Sequence, residues 1–377
     1  MSSTQGGVGT IATEGPVLVI GTGLIGTSVA LALRSHGVTV YLSDPSPTSL
    51  ALASDMGAGT PLTQVPNPHP RLVVVAAPPD VAADCVVDAL AEYPEAVVTD
   101  VSSVKVSISQ AVADRAADKS RYVGSHPMAG RARSGSSFAD KDLFYGQPWV
   151  IVPSADSSES SELTVRNLAV DLGGIPLRLA PEEHDVAVAY VSHVPQLVSS
   201  LLAARLLEAP GGALSLAGQG LRDTTRIASS DPRLWTAIIS GNASPIAEVL
   251  SDLSADLARV VERLESFSEG EAGAVGTVSE VMSRGNLGVS RIPGKHGQAQ
   301  RRWAEVEVLV PDRPGELGRL FSDLAEAGVN IEDLALEHSA GKKFGLANIS
   351  VQPGVQSHAV AELEQRGWRV ISGGPAQ

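Results

Sequence analysis

Val17-Leu18-Val19-Ile20-Gly21-Thr22-Gly23-Leu24-Ile25-Gly26 joins an apolar strand to a glycine turn and then to an apolar helix over 27–33. In this pattern Gly21 allows a tight turn, Gly23 lets main-chain N–H groups reach a pyrophosphate, and Gly26 lets the helix pack close to the strand. With Leu24 and Ile25 these glycines form a candidate cofactor turn, and the helix start adds partial positive charge. A second strand, predicted over 39–42, leads to Asp44, eighteen residues past Gly26. A carboxylate there accepts hydrogen bonds from ribose hydroxyls and repels a 2′-phosphate, so NAD is expected rather than NADP. A glycine turn alone also occurs in other α/β proteins; the strand before it, the helix after it and the acid give this one its meaning.

Working outward, strand-like runs over 72–76, 96–101, 122–124 and 149–152 alternate with helical ones. This predicts a doubly wound α/β Rossmann domain over 15–153. A helix over 163–171 and a short strand over 176–179 follow. Pro181-Glu182-Glu183 then opens a long helix, with proline first and acids against the dipole. To about 267 the periodicity stays helical, so an all-α domain is expected over 154–290. Its apolar faces, including Val186, Tyr190, Leu197, Leu201, Leu253 and Leu257, point to homodimerisation through helices, with ordinary core as the other reading. A glycine-rich connector carries Arg291, Lys295, His296, Arg301 and Arg302. Residues 304–377 then read strand-helix-strand-strand-helix-strand, a small ferredoxin-like module.

The 377 residues are enough for two or three domains, and 43% hydrophobic content is enough to give them cores. A formal charge of −14 opposes binding to a nucleic acid backbone. A small-molecule ligand is the better expectation, attracted by local cations if it is anionic. The single Cys85 forms no intrachain disulfide, and residues 1–14 read as a disordered tail without a leader, so a cytoplasmic setting is expected. No apolar run reads as a membrane span, and no metal site is expected.

Three tracts carry chemistry. Val101-Ser102-Ser103-Val104-Lys105 and Ser125-His126-Pro127-Met128-Ala129-Gly130 follow strands, where an open α/β sheet meets its ligand. An alcohol dehydrogenation needs a proton acceptor, and neutral imidazole suits that near pH 7. His126 is the candidate, with Ser103 orienting it or sharing the substrate hydrogen bond; the tract alone fits a structural His-Pro turn equally well. In Arg222-Asp223-Thr224-Thr225-Arg226, helical spacing lets Asp223 hold Arg226 while its guanidinium grips a carboxylate, although such spacing usually means a surface ion pair. Asp231-Pro232 starts another helix carrying Trp235. In Ser192-His193-Val194-Pro195-Gln196, proline inside a helical run predicts a kink beside a site or a tolerated kink in the core. Ser192 and Gln196 share its face.

Together, GTGLIGTS, DVSSVK, SHPMAG, SHVPQ, RDTTRIASSDPRLW and RIPGKHG resemble the prephenate/arogenate dehydrogenase family over about residues 15–300, and the last module resembles an ACT domain. The resemblance implies NAD-dependent oxidative decarboxylation in tyrosine biosynthesis. It places the proton acceptor at His126, its assisting serine at Ser103 and the carboxylate-binding arginine at Arg226. Two positions depart from the family pattern: Ala132 replaces a common glutamate, and Gln196 replaces a common histidine. Neither supplies a carboxylate for the ammonium of arogenate, while Gln196 can donate to a keto oxygen, so prephenate is preferred and arogenate or dual specificity is the runner-up. A 3-hydroxyacid dehydrogenase and a non-catalytic NAD- and amino-acid-sensing regulator are further alternatives. In the ACT-like tail, the turn containing Asp312 and Gly315 and the segment with Asn330 and Ile331 are candidates for holding tyrosine; a purely structural or dimerising module is the other reading.

Overall fold

β1 (Val17–Ile20) is apolar and almost wholly buried because it lies inside a parallel sheet. The computed structural model describes residues 11–130, 135–268, 274–293, 303–337 and 344–372. Around β1 it sets β2 (Val40–Ser43), β3 (Thr60–Pro61), β4 (Leu72–Val75) and β5 (Val97–Asp100), all parallel, in the order β3-β2-β1-β4-β5. The order reverses between β1 and β4, which opens a crevice at the carboxyl ends of the strands. The crossovers are α1 (Leu24–Ser35), α2 (Pro47–Asp55) and α3 (Pro79–Glu92), with α4 (Val106–Arg115) after β5.

β6 (Val123–Pro127) adjoins β5 through one parallel bridge, Val98 to Tyr122. It starts a second sheet, antiparallel to β7 (Pro148–Pro153), which pairs in parallel with β8 (Ile175–Arg178). Between these last strands lies α5 (Glu159–Asp171), whose Val165, Leu168 and Ala169 join the same core as Val17 and Leu33. The α/β body therefore runs to Arg178, past the division expected at 153/154. Asp171 accepts from Thr13 N and Oγ1 at 2.7 and 2.6 Å, so the chain is tied down within the stretch expected to be a free tail. Residues 1–10 of that tail lie outside the described residues.

By internal contacts the chain forms two units: one reaches to Gly211 and includes Thr224–Ser254, and the other comprises Gly212–Asp223 and the residues from Ala255 on. The helical part contains α6 (Pro181–Val188), α7 (Val194–Arg205), α8 (Gln219–Thr225), α9 (Pro232–Gly241), α10 (Ala243–Ser268) and α11 (Ala274–Val289). A π-helical turn, Ala189–His193, links α6 to α7, and Val194 N donates to Ala189 O across it. Pro195 then falls in the first turn of α7, where its missing N–H breaks no helical bond. The expected kink is thus a π turn. Pro181–Glu208 is long and apolar enough, by composition, to cross a membrane, contrary to the sequence expectation. Its His184, Asp185, His193 and Gln196 are nevertheless buried and hydrogen-bonded into the fold, so it is built in as a core segment.

The last module, described by itself, runs β9 (Ala304–Pro311), α12 (Glu316–Glu326), β10 (Asp333–Glu337), β11 (Phe344–Val351), α13 (Gln356–Gln365) and β12 (Arg369–Ser372). Its antiparallel sheet has the order β10-β11-β9-β12. Alternation buries Ala304, Val306, Val308 and Val310 of β9 against Leu320, Leu324 and Leu363 of the helices. This is the expected ferredoxin-like arrangement.

Candidate active site

The β1–α1 turn has the stereochemistry its sequence requires. Gly21 adopts φ +98°, and a side chain there would meet Ala76 O at 2.4 Å. At Gly26 a Cβ would lie 1.9 Å from Gly21 O, whereas at Gly23 it would meet nothing within 4 Å. Gly23 also caps α1 without any side-chain hydrogen bond, leaving the N–H groups at the helix start for an anion. The cradle fits a pyrophosphate. Asp44 is half-exposed just beyond β2; its Oδ2 accepts from Thr22 N at 2.6 Å and Thr22 Oγ1 at 2.9 Å, and its Oδ1 from Ser46 N at 2.8 Å. The carboxylate thus shapes the turn as well as retaining acceptor capacity on Oδ1 for a ribose hydroxyl.

At the far side of the crevice, β5 and β6 deliver Ser103 and His126, both half-buried. Behind them the loop from β5 to α4 is held by α6. Asp185 Oδ1 accepts from Lys105 N and Oδ2 from Val106 N, both at 2.9 Å. His184 Nδ1 lies 2.8 Å from Asp185 Oδ1, and His184 Nε2 lies 2.9 Å from His126 Nδ1. Below this chain Lys105, wholly buried, pairs with Asp100, which also accepts from Tyr122 Oη at 2.8 Å and Ser102 N at 3.0 Å. Gly124 leaves room for this cluster: a Cβ there would approach Lys105 Cδ and Tyr122 Oη at 3.1 Å.

Burial pushes the His126 imidazole well below its ordinary range, reinforced by His184, Lys105 and His193. Burial also lowers His184, against the opposing pull of Asp185, and brings His193 down to about 4. Burial lowers the Lys105 ammonium, with Asp100 opposing, and raises the Tyr122 phenol. The arrangement presents a neutral imidazole, suited to accept a proton, beside a serine hydroxyl. Among the described residues no group of three His, Cys, Asp or Glu is placed to hold a metal ion.

The helical residues are placed less as the sequence led one to expect. Gln196 is buried, and its Nε2 donates to Ile227 O at 2.9 Å and Ser230 Oγ at 2.8 Å. A carbonyl can only accept, so the amide nitrogen faces the 227–230 segment. The expectation that this nitrogen serves a keto oxygen is therefore corrected: it anchors the segment that carries Arg226. Ser199 Oγ joins it by donating to Thr224 O at 2.8 Å. Arg226 itself is exposed and opens a 3₁₀ turn, Arg226–Ala228, because α8 stops at Thr225. That ends the shared helical face predicted for Asp223 and Arg226, and Asp223 instead accepts from Gln219 Nε2 at 2.8 Å. Trp235, half-buried on α9, meets His193 edge-on with ring centroids 6.2 Å apart. Ser192 is half-buried in the π turn. In the last module Gly315 takes φ +92° before α12, Asp312 is exposed in the same turn, and Asn330 Nδ2 donates to Glu332 Oε1 at 2.9 Å, next to the half-buried Ile331. Ala132, Lys295, His296, Arg301 and Arg302 lie outside the described residues.

Sequence reasoning missed His184, Asp185 and Asn242. The first two were hidden in a helix start whose acids read as dipole partners. Asn242 Nδ2 donates to Asp185 O at 2.7 Å and lies 3.0 Å from His193 Nδ1, contacts spanning 57 and 49 positions that no local pattern announces.

Family models match three consecutive stretches: the prephenate dehydrogenase nucleotide-binding domain over 29–175, the prephenate dehydrogenase dimerization domain over 180–272 and the ACT domain over 304–355. The Streptomyces niveus protein named "Probable prephenate dehydrogenase NovF" is 37% identical over 356 residues, 93% of this chain and 98% of its own. Among solved structures, the prephenate dehydrogenase of Aquifex aeolicus in complex with hydroxyphenyl propionate and NAD+ is 28% identical, with a TM-score of 0.63 over 72% of this chain and 97% of its own. The arogenate dehydrogenase of Synechocystis is 25% identical, with a TM-score of 0.59 over 72% of this chain and 98% of its own. A glycine turn shaped for a dinucleotide, a neutral imidazole across the crevice and this agreement along nearly the whole length place the chain in the prephenate dehydrogenase family.

Proposed function

We propose that the chain catalyses the NAD-dependent oxidative decarboxylation of prephenate to 4-hydroxyphenylpyruvate. The observation that carries this reading is His126, a half-buried neutral imidazole at the carboxyl end of β6, on the same sheet system as the dinucleotide turn. Gly21, Gly23, Leu24, Ile25, Gly26 and Asp44 would hold NAD, which when bound accepts the hydride from the hydroxyl-bearing ring carbon. His126 takes the proton of the 4-hydroxyl, and Ser103 shares that hydrogen bond. Arg226, exposed and without an acidic partner among the described residues, grips the side-chain carboxylate, while Trp235 and Ser192 line the helical side. Loss of carbon dioxide makes the ring aromatic, so the residues need mainly to orient substrate and accept one proton.

Preference for prephenate over arogenate is supported by the carboxylates near His126: Asp100 and Asp185 are both engaged by donors inside the protein, leaving neither free to receive an ammonium. The second reading, arogenate, draws on the commitment of the Gln196 nitrogen to the 227–230 segment, which removes one donor from the keto side chain. Initial rates of NAD reduction with the two substrates at equal concentration decide between them. A higher rate with prephenate is expected, a higher rate with arogenate selects the second reading, and no rate with either overturns both.

The same proposal includes a cytoplasmic homodimer formed through the helical domain, in keeping with the exposed Leu201, Leu257 and Leu264 and with the family model's dimerization domain. It also includes tyrosine binding at Asp312, Gly315, Asn330 and Ile331 of the ACT module. Light scattering at graded concentrations tests the first, and titration calorimetry with tyrosine tests the second.

A further inference from the structure

The protons in the buried chain behind His126 have one consistent arrangement, and it is dictated from Asp185 outward. Asp185 already receives the main-chain N–H groups of Lys105 and Val106, which only a carboxylate's lone pairs can satisfy. His184 Nδ1, 2.8 Å from the same carboxylate, therefore carries a hydrogen and donates it. His184 is wholly buried, and burial keeps its ring neutral. A neutral imidazole has one N–H, so His184 Nε2 is a bare lone pair. It faces His126 Nδ1 at 2.9 Å, and that nitrogen must be the donor. The lone pair of His126 is left on Nε2.

We propose that His184 and Asp185 are positioning residues for the proton acceptor: they hold His126 in the Nδ1–H tautomer and take up the positive charge that proton uptake creates. The inference rests on reading His126 as the base. When His126 Nε2 receives the hydroxyl proton, the Nδ1–H bond of His126 breaks and an Nε2–H bond forms on His184. The charge then sits on an imidazolium against the Asp185 carboxylate. No proton is gained or lost within the pair beyond the one taken from substrate. The surroundings favour this transfer, because the positive Lys105 and the ring of His193 also bear on His126, while Asp100 is already held by Lys105, Tyr122 and Ser102. Asp185 is locked in turn by its backbone, whose carbonyl accepts from Asn242. The arrangement follows the logic of a catalytic dyad backed by a buried acid, with a second imidazole inserted between base and acid.

The test uses the full chain with 15N-labelled histidine and long-range proton–nitrogen correlation spectra. His126 is expected as the Nδ1–H tautomer. In His184→Phe the Nε2–H form should appear, kcat should fall by roughly 10–100-fold with little change in KM, and the acid limb of the kcat pH profile should move to lower pH. His184→Gln keeps an acceptor for His126 Nδ1–H but cannot carry the proton onward; it should preserve the tautomer, recover part of kcat and leave the limb low. An Nε2–H tautomer in the unsubstituted protein overturns the proposal. So does a His184→Phe variant with reduced kcat but unchanged tautomer and pH limb, which would mark a packing effect. Full turnover by His126→Asn would instead remove the base reading, and the tautomer spectra remain readable in either case.

Discussion

The two sides of the crevice are built by opposite means. On the β1 side, three glycines within six residues make a site out of backbone, and what matters is the absence of side chains: Gly21 and Gly26 have no room for one, and Gly23 keeps space open. On the β5–β6 side the site is made of side chains packed against one another, with His126, His184, Asp185 and Lys105 drawn from segments up to 80 positions apart. A short-range site is encoded as a string and survives as a motif. A long-range one is encoded only in the fold, and each of its members looks ordinary in its own neighbourhood.

Four measurements break or sharpen this contrast. The largest effect is expected from His126→Asn, which removes the proton acceptor while leaving the glycine turn untouched. Turnover should fall by about 10²–10⁴ with cofactor affinity unchanged, as read by steady-state kinetics and NAD titration. Nearly full activity would dismiss the side-chain half of the comparison. Next, Arg226→Met should cost about 1.5–3 kcal/mol of substrate capture, seen mainly as a raised KM. On the backbone side, Gly26→Ala forces a Cβ against Gly21 O and should lower both melting temperature and NAD affinity, whereas Gly23→Ala meets open space and should lower NAD affinity alone. Equal thermal losses in the two variants would mean that the turn's roles are not divided as described.

The smallest effect is a pH dependence. His126, His184 and His193 are all held below their ordinary value by burial, while in the unfolded chain they protonate as pH falls through about 6.5. The unfolded state then binds more protons, so the stability is fully present above that pH and is lost as pH falls. The decline amounts to at most about 1.4 kcal/mol per pH unit for each histidine. For His193 the window extends down to about pH 4. Urea midpoints that stay flat between pH 7 and 5 would contradict it.

The same contrast explains what could be read in advance. The strand order, the glycine turn, Asp44 and the βαββαβ tail follow from local periodicity and turn chemistry, and His126 and Ser103 follow from their position after strands. The Asp223–Arg226 clamp failed because helical spacing presumes the helix continues, and α8 stops at Thr225. Gln196 was assigned to substrate because a sequence does not reveal that a main-chain carbonyl 31 residues away claims its nitrogen first. His184 and Asp185 escaped notice because partners 58 and 80 positions distant define them.

The π turn at Ala189–His193 has a consequence for how this protein can change over generations. Such a turn is an α-helix carrying one surplus residue, and each residue advances the helix by about 100°. Deleting any one of the five would let the segment relax into a regular helix and swing everything after it by that angle. Gln196 and Ser199 would then point away from the 224–230 backbone they now hold. Drift in this stretch is thus free to alter identities while its length stays frozen, so lineages should record substitutions here and no gaps.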